Sequence, residues 1–336
     1  MKKYNVAVVG ATGMVGRTIR EVLEKSNIAV DNIYFFSSAR SAGTEITFRD
    51  KKYIIEELTK SSFDRPINMA FFSAGGDISK EYVPLAVEKG ITVIDNSSAF
   101  RMDPEIPLVV PEVNKEDIKK NKGIIANPNC STIQAVVALK PLDDKYNIKR
   151  IVYSTYQSVS GAGHQGTDEL ENSLKGMAPS KFPYSIAENC IPHIDNFLEN
   201  GYTKEEMKMV DETRKIFNKP ELKITATCVR VPIMRSHSES INVEFEKDFE
   251  LEDVFELFRN APGIILEDDV KSNTYPLAGR AKDTDYTYVG RIRRDFSLDS
   301  GLNMWVVADN IRKGAATNAV QIGQELIKIW ENEDAI

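Results

Sequence analysis

One cysteine stands where a thiol can become a nucleophile. Cys130 follows Asn127-Pro128-Asn129 and precedes the apolar run Ile133–Leu139, a pattern typical of a helix that begins at or near the cysteine. The macrodipole and the unpaired N–H groups of a helix N-terminus stabilise a thiolate, which is the attacking species in covalent cysteine chemistry. The sequence therefore predicts that Cys130 is the nucleophile of a covalent mechanism.

The other two cysteines lack this context. Cys228 lies in the strand-like run Thr225–Val231, and we expect both Cys228 and Cys190 to be small buried hydrophobes. Three scattered cysteines are too few for a disulfide framework or a zinc knuckle. We therefore expect three reduced thiols and no metal site.

A cysteine nucleophile commonly works with a histidine, and the chain has three. His237 follows Val231–Ser236 at the join of two predicted strands, where a loop can project it into a cleft, so it is the best candidate for acid/base chemistry. His164 lies in a glycine-rich segment that is expected to be a flexible loop, and we expect it to be solvated, whereas His193 is expected to be structural. Spacing alone does not settle the choice of His237.

The second chemical motif is the glycine turn Gly10–Gly16, which connects the first predicted strand to the first predicted helix. Glycines permit a tight turn and a close approach of the backbone to a pyrophosphate, whose charge meets free N–H groups and the positive helix end. The alternative is a strand-to-helix turn without a ligand. The predicted cofactor contacts in this turn are Gly10, Thr12, Gly13, Met14 and Val15.

The residues after the second predicted strand indicate which dinucleotide is bound. An NAD site usually has an acidic residue there, but Ser37–Ser41 contains no carboxylate. The hydroxyls of Ser37, Ser38 and Ser41 and the guanidinium of Arg40 suit a 2′-phosphate, which favours NADP over NAD. A solvated polar loop is the alternative, and use of both cofactors stays open.

The elements that position these residues change in kind near Cys130. Before it, short β-branched and aromatic runs alternate with amphipathic segments, as in an α/β parallel sheet covered by helices. The predicted elements are strands at Tyr4–Val9, Ile33–Phe36, Met69–Ser73, Thr92–Asp95 and Ile124–Asn127, helices at Met14–Lys25 and Ser79–Lys89, and a hairpin of Glu45–Phe48 and Lys52–Glu56 around Arg49-Asp50-Lys51.

After Cys130 the predicted strands are longer and suit an antiparallel or mixed sheet. They are Ile148–Val159, Lys223–Val231, Ser238–Phe245, Tyr288–Phe296 and Leu302–Ala308. Ala315–Trp330 has apolar residues at helical spacing and is expected to pack on the first domain. We therefore predict a cofactor domain at 1–129 that is completed by a C-terminal helix at 314–336, and a second domain at 130–313.

Composition narrows the class of protein. A chain of 336 residues that is 42% hydrophobic can bury the cores of two domains. A net charge of −7 without a Lys/Arg-rich block argues against a nucleic-acid surface. No stretch approaches the roughly 18 apolar residues of a membrane span, and Met1–Tyr4 leads into a strand instead of a signal sequence. We expect a cytoplasmic protein.

Together, six segments resemble the aspartate-semialdehyde dehydrogenase family. The glycine turn is shared by many proteins, but Asn129–Thr132 followed at these distances by the other segments is highly specific, and the match covers nearly the whole chain. The six segments are Gly10–Gly16, Asn96–Arg101, Asn127–Thr132, Tyr156–Gly163, Glu212–Lys215 and Arg230–His237.

The resemblance implies a Rossmann-type parallel-sheet domain and an α+β catalytic and dimerisation domain of the glyceraldehyde-phosphate-dehydrogenase-like kind. It also implies that Cys130 is the nucleophile, His237 the acid/base and Gln157 a group that orients the substrate and intermediate. Further cofactor contacts implied by the family are Ser73, Ala74, Gly75, Ser160, Gly161, Asn310 and Asn318.

The resemblance also implies the substrate contacts. Arg230 would hold the α-carboxylate and Glu212 the α-ammonium, which suits a planar guanidinium and a carboxylate. Arg101 and Lys215 would meet the phosphate with help from Asn129. The alternatives are a solvated surface pair for Glu212 and Lys215, and structural ion pairs for Arg101 and Arg230.

The activity so implied is the reversible, NADPH-dependent conversion of L-aspartyl-4-phosphate to L-aspartate 4-semialdehyde through a thioester on Cys130. It belongs to lysine, diaminopimelate, methionine and threonine biosynthesis, and the family suggests a homodimer, with a homotetramer left open. One alternative is an N-acetyl-glutamyl-phosphate reductase, against which Glu212 argues because it suits a free ammonium. Another is a catalytically silent dinucleotide-binding sensor or interaction protein, which fold alone does not exclude.

Overall fold

The computed structural model describes residues 2–333. They form two compact units, one that ends at Pro128 and resumes at Ala315, and a second at Asn129–Gly314. Met1 and residues 334–336, which belong to the predicted first domain and the predicted C-terminal helix 314–336, lie outside the described residues.

The elements are numbered along the chain. The strands are β1 (Tyr4–Val9), β2 (Val30–Ser37), β3 (Glu45–Phe48), β4 (Lys51–Ile54), β5 (Glu56–Glu57), β6 (Met69–Phe72), β7 (Thr92–Asp95), β8 (Ile124–Ala126), β9 (Ile148–Gln157), β10 (Lys223–Arg230), β11 (His237–Phe245), β12 (Ile264–Leu266), β13 (Thr287–Asp295) and β14 (Gly301–Ala308). The α-helices are α1 (Met14–Lys25), α2 (Gly76–Glu88), α3 (Pro111–Asn114), α4 (Cys130–Tyr146), α5 (His164–Ser173), α6 (Lys204–Phe217), α7 (Leu251–Asn260), α8 (Ala278–Ala281) and α9 (Asn318–Glu333).

A six-stranded parallel sheet forms the first unit, in the order β5-β2-β1-β6-β7-β8. All four residues of β6 are buried, as expected of a parallel strand covered on both faces. The helix α9 contributes Ala319, Ile322 and Leu326 to the core of this unit. The predicted Rossmann-type sheet is confirmed, and the strand order reverses between β1 and β6, where such sheets bind ligands.

The hairpin differs in detail from the prediction. Its turn has two residues, Arg49 and Asp50, both with positive φ (46° and 62°), as a type I′ turn requires. Lys51 is therefore already paired, and the second arm ends at Ile54. The prediction that Glu56 belongs to the hairpin is wrong, because β5 pairs with the end of β2 instead.

The last helix also begins later than predicted. Arg312–Thr317 forms a π-helical turn, and α9 starts at Asn318. The carboxylate of Asp309 accepts the N–H groups of Ile311 and Arg312, and its carbonyl accepts the N–H of Gly314 five residues on. These contacts favour the wider turn over an α-helical one.

The second unit is built on a mixed six-stranded sheet in the order β10-β9-β11-β14-β13-β12. The pairs β9–β10 and β12–β13 are parallel and the rest antiparallel, which confirms the predicted mixed sheet. Helices α4, α6 and α7 pack on one face, whose alternate residues are buried. The short strand β12 and the helix α7 were not predicted. No helix within residues 2–333 has the length and apolar character needed to cross a bilayer.

Candidate active site

Polar side chains gather at one end of the buried face of the second unit's sheet. Gln157 ends β9 beside Arg230 at the end of β10, and His237 opens β11. Gln134, one turn after Cys130 in α4, donates to the carbonyl of His237 at 3.3 Å. The N-terminal turn of α4 therefore lies at this end of the sheet.

Asn129 determines where α4 begins. Its Oδ1 accepts the N–H groups of Ser131 (2.9 Å) and Thr132 (3.4 Å), which makes it the N-cap. Cys130 is the first helical residue and is half-buried, so its predicted position at a helix N-terminus is confirmed. A Cβ on Gly314 would approach the Cβ of Cys130 to 3.0 Å, so the chain lies close to the thiol.

Of the other cysteines, one follows expectation. Cys228 is buried in β10, and burial raises the pKa of its thiol well above the ordinary value. Cys190 is exposed, so its expected burial is wrong. The next residue, Ile191, forms two backbone hydrogen bonds with Arg230 of β10, and Cys190 lies outside that contact.

His237 is fully buried and held by Ser158. The backbone N–H of Ser158 donates to Nδ1 at 3.0 Å, so the neutral ring carries its hydrogen on Nε2. Burial, reinforced by the charge of Arg230, lowers the pKa of His237 to about 3. No described group hydrogen-bonds to Nε2, which lies 3.4 Å from where a Cβ on Gly161 would stand. At neutral pH this histidine is a hydrogen donor at Nε2.

The remaining histidines lie apart from this arrangement. His164 is exposed, as expected, but it is the first residue of α5 and not part of a loop. His193 is half-buried and stacks on Phe197 with ring centroids 4.2 Å apart, which agrees with a structural role.

Arg230 is a buried cation, only 5% exposed. Its Nη1 donates to the carbonyl of Ser158 at 2.6 Å, and the ring of Phe182 lies 5.8 Å from the guanidinium. Burial lowers the pKa of Arg230, with the charges of Glu205 and Cys130 opposing that shift. No described carboxylate forms a salt bridge with it, so the structural ion-pair alternative is not supported among residues 2–333.

The residues of α6 are more buried than a surface pair would be. Glu212 is 1% exposed, and its Oε2 accepts the backbone N–H of Asn129 at 2.6 Å, so the solvated-pair alternative is wrong for Glu212. Lys215, one turn further on, is half-buried. Arg101 belongs to the first unit, where it is buried in the turn after β7 and donates to the carbonyl of Asn96 at 3.0 Å.

The sequence analysis missed Glu205, which lies in the first turn of α6. It accepts the amide of Gln157 at 3.0 Å, the amide of Asn129 at 3.0 Å and the ammonium of Lys208 at 3.1 Å. Burial alone would raise its pKa, but Lys208 and the two amides lower the pKa of Glu205 to about 2. The spacing of seven residues from Glu205 to Glu212 was the available signal, because it places both on one helix face.

A second carboxyl that was missed is Glu239, two residues after His237 on the buried face of β11. It is fully buried, and neither of its oxygens makes a hydrogen bond of good geometry with a described residue. Burial raises the pKa of Glu239 well above its ordinary value, with the amide of Gln134 opposing the shift. Burial therefore favours the neutral form of this carboxyl.

The first unit has a cradle at the point where the strand order reverses. Gly10 has φ +82°, and a Cβ there would come within 2.3 Å of the carbonyl oxygen of Ser73. A Cβ on Gly16 would come within 2.1 Å of the carbonyl oxygen of Gly10. Only glycine fits at these two positions, and Met14 and Val15 begin α1, where N–H groups lack helical partners. The cradle fits a pyrophosphate.

Hydroxyls stand beside this cradle. The Oγ1 of Thr12 lies 2.7 Å from the Oγ of Ser37 and 3.3 Å from that of Ser41, while Ser38 and Arg40 are exposed. One carboxylate was overlooked, since β5 places Glu57 opposite Ser37 in the parallel register. The segment 37–41 has no carboxylate of its own, but the neighbouring strand supplies one.

Most of the other predicted cofactor residues have internal contacts. In the first unit, Ser73, Ala74 and Gly75 follow β6, and the amide of Asn318 donates to the carbonyl of Val109 (2.9 Å) and to Asn127 (2.7 Å). In the second unit, Asn310 accepts the N–H of Ser236 at 3.0 Å and the hydroxyl of Ser158 at 3.2 Å, and donates to Ser160 at 3.1 Å. Asn310 thereby fixes Ser158, whose backbone N–H donates to the ring of His237.

Known proteins resemble both units. One family model, semialdehyde dehydrogenase, NAD binding domain, matches residues 5–121, and another, semialdehyde dehydrogenase, dimerisation domain, matches residues 139–313. An aspartate-semialdehyde dehydrogenase of Aquifex aeolicus is 54% identical over 334 residues, which cover 97% of this chain and 98% of the relative. The chain belongs to the aspartate-semialdehyde dehydrogenase family. The resemblance inferred from the six segments is confirmed.

Solved members of the family share the fold. Aspartate semialdehyde dehydrogenase II from Vibrio cholerae, complexed with ASA, is 47% identical with a TM-score of 0.94, covering 98% of this chain and 99% of that one. The more distant enzyme from Candida albicans, solved with NADP, is 26% identical with a TM-score of 0.77, covering 97% and 99%. Within residues 2–333, no cluster of three His, Cys, Asp or Glu side chains is arranged to hold a metal ion.

Proposed function

We propose that the chain catalyses the reversible, NADPH-dependent reductive dephosphorylation of L-aspartyl-4-phosphate to L-aspartate 4-semialdehyde through a thioester on Cys130. The observation that carries the proposal is the buried guanidinium of Arg230, which has no carboxylate partner among the described residues. A buried cation that makes no direct contact with a carboxylate is costly even when Glu205 acts on it from a distance, and a substrate that brings a carboxylate reduces that cost. The family relative from Vibrio cholerae is complexed with ASA.

The substrate contacts follow from charge. Arg230 offers a planar fork to the α-carboxylate, and Glu212 offers a buried carboxylate to the α-ammonium. Lys215 and Arg101 supply positive charge for the phosphate. Asn129 uses Oδ1 to cap α4 and one amide hydrogen to reach Glu205, so one hydrogen remains for the substrate.

The acyl transfer uses the thiolate of Cys130. It attacks the acyl carbon, a C–S bond forms, and the C–O bond to phosphorus breaks so that phosphate leaves with the bonding electrons. Lys215 and Arg101 stabilise the departing charge. NADPH, when bound, supplies a hydride. As the thioester oxygen becomes negative during reduction, the Nε2–H of His237 donates to it, and collapse expels the thiolate and releases the aldehyde.

NADPH is the cofactor we propose for the cradle of the first unit. Thr12, Ser37 and Arg40 suit a 2′-phosphate, and a family member from Candida albicans is solved with NADP. Arg40→Ala should weaken NADPH binding by about tenfold and leave NADH binding unchanged. Glu57→Gln is the matched control, because it changes a charge beside Ser37 without removing a phosphate donor. An equal loss of both cofactors in Arg40→Ala would reject the role of Arg40.

A homodimer through the second unit is also part of the proposal. The sheet face away from α4 bears two aromatic side chains, the exposed Tyr156 and the half-buried Trp305, whose rings lie 5.4 Å apart and line a cavity of about 480 Å³. Trp305→Glu should shift the molecular mass measured by light scattering from dimer to monomer. A monomeric mass for the unmodified protein would reject this part.

The decisive experiment compares the unmodified protein with Cys130→Ala. Phosphate-dependent reduction of NADP with aspartate semialdehyde should vanish in the variant, while NADPH affinity measured by fluorescence stays largely intact, because the two sites come from different segments. Retained activity would reject the thioester. Activity on N-acetyl-glutamyl phosphate but not on aspartyl phosphate would reject the substrate, and with it a place in lysine, methionine and threonine biosynthesis.

A further inference from the structure

Glu205 contacts two side chains of the proposed site at once, yet it is not itself one of the groups assigned to substrate. Its Oε1 accepts the amides of Gln157 and Asn129, each at 3.0 Å, and its Oε2 accepts the ammonium of Lys208 at 3.1 Å. Lys208 also binds Asp195 at 2.9 Å. A single buried carboxylate thus satisfies three donors.

Only an acceptor with two oxygens can satisfy this set. Three donors converge on the carboxylate, and a carboxylate has no hydrogen of its own to oppose them. The two amides share Oε1 and the ammonium of Lys208 binds Oε2, so the single oxygen of a glutamine at 205 can serve only one side. The charged ammonium is the stronger donor, so we expect that oxygen to face Lys208 and the NH₂ group to face the two amides. A charged acceptor also strengthens each bond relative to a neutral one.

The contacts determine which way each amide faces. Gln157 donates to Glu205 and accepts the hydroxyl of Thr155 at 3.0 Å, so its oxygen and nitrogen cannot exchange places. Asn129 donates to Glu205 while its oxygen caps α4. Each nitrogen keeps one hydrogen whose direction is fixed by the plane of its amide.

We propose that Glu205 is a positioning residue, which orients the amides of Gln157 and Asn129 so that their remaining hydrogens meet the substrate and the acyl intermediate. This inference depends on the proposed function for the identity of the substrate. Orientation of donors before reaction acts on the chemical step more than on binding. Glu206 is the natural comparison, since it is also buried but accepts the backbone N–H groups of Thr203 (2.7 Å) and Cys228 (3.1 Å).

The kinetic test uses Glu205→Gln and Glu205→Asp with Glu206→Gln as the matched control. For Glu205→Gln we expect kcat to fall about 10–100-fold with KM for aspartate semialdehyde within threefold, and Glu205→Asp to recover part of kcat. Glu206→Gln should lower thermal stability and leave kcat within threefold. A loss in Glu205→Gln that appears in KM alone, or an equal kcat loss in Glu206→Gln, would overturn the proposal.

A double-mutant cycle separates positioning from general damage. Glu205→Gln should lower kcat less in the Gln157→Ala background than it does alone, because one of the two amides that Glu205 orients is already gone. Fully multiplicative losses would contradict the inference. A crystal structure of Glu205→Gln gives a readout that needs no activity: the amide of Gln157 should turn away from its present direction, and an unmoved amide would overturn the inference whatever the substrate proves to be.

Discussion

Gly161 provides a sharp test of how Arg230 is held. A Cβ on residue 161 would lie 2.8 Å from the Nη1 of Arg230 and 3.4 Å from the Nε2 of His237. Ordinary contact begins near 3.4 Å, so Gly161→Ala must displace the guanidinium by roughly 0.6 Å. Because φ at Gly161 lies outside the left-handed region, an alanine fits the backbone there and the effect falls on the neighbours.

The size of the effect follows from the bonds that the guanidinium makes. Its Nη1 donates to the carbonyl of Ser158 at 2.6 Å, and the proposed carboxylate contact uses the same planar group. A displaced guanidinium loses one charge-assisted hydrogen bond to the substrate carboxylate, which is worth about 1.5–3 kcal/mol, or roughly 10–150-fold in affinity. We therefore expect KM for aspartate semialdehyde to rise by about that factor in Gly161→Ala, with a smaller change in kcat.

The assay is the initial rate of phosphate-dependent NADP reduction, with the concentrations of aspartate semialdehyde and NADP varied separately. Gly279→Ala is the control, because a Cβ there meets nothing within 4 Å. An unchanged KM for the aldehyde would refute the reasoning about Arg230. A rise confined to the KM for NADP would show instead that Gly161 acts through the cofactor.

Three further outcomes are expected. Burial in the folded state raises the pKa of Glu239, so the contribution of this carboxyl to stability is complete below its ordinary pKa of 4.5 and is lost as pH rises. The free energy of unfolding of Glu239→Gln, measured in urea, should therefore exceed that of the unmodified protein by about 1–3 kcal/mol at pH 8 and by little at pH 4. An equal loss of stability at both pH values would contradict this. Asp50→Gly should stabilise the hairpin turn by up to about 1 kcal/mol in thermal melts, since φ at Asp50 is positive; a lower melting temperature would oppose it. Iodoacetamide should modify the exposed Cys190 readily and Cys228 only after unfolding, as peptide mass mapping would show.

Local sequence patterns predicted many of the helices and strands. A short run of β-branched and apolar residues predicted β1, and the glycine turn predicted the start of α1, because both signals lie within a few residues. Asn129 before an apolar run correctly located the start of α4, since an N-cap acts on the next three residues. The π-helical turn at Arg312–Thr317 was missed because it depends on a carboxylate at Asp309, which propensity does not register.

The parts of the site that depend on distant contacts could not be predicted. Glu205 meets Gln157 and Asn129 across 48 and 76 residues of sequence, and no spacing rule joins them. The lack of a carboxylate partner for Arg230 is likewise a property of the folded surroundings. The position of Glu57 beside Ser37 could not be predicted for a similar reason, because only the sheet register brings the two residues together.

The hydrogen bond from the backbone of Ser158 to His237 has a consequence for the proposed mechanism. An amide does not give up its proton, so no proton reaches the imidazole through Nδ1. The hydrogen that Nε2 shares with the thioester oxygen during reduction therefore returns to the same nitrogen when the carbonyl re-forms and the thiolate leaves. The ring ends such a turnover in the state in which it began, and no separate reprotonation step precedes the next substrate.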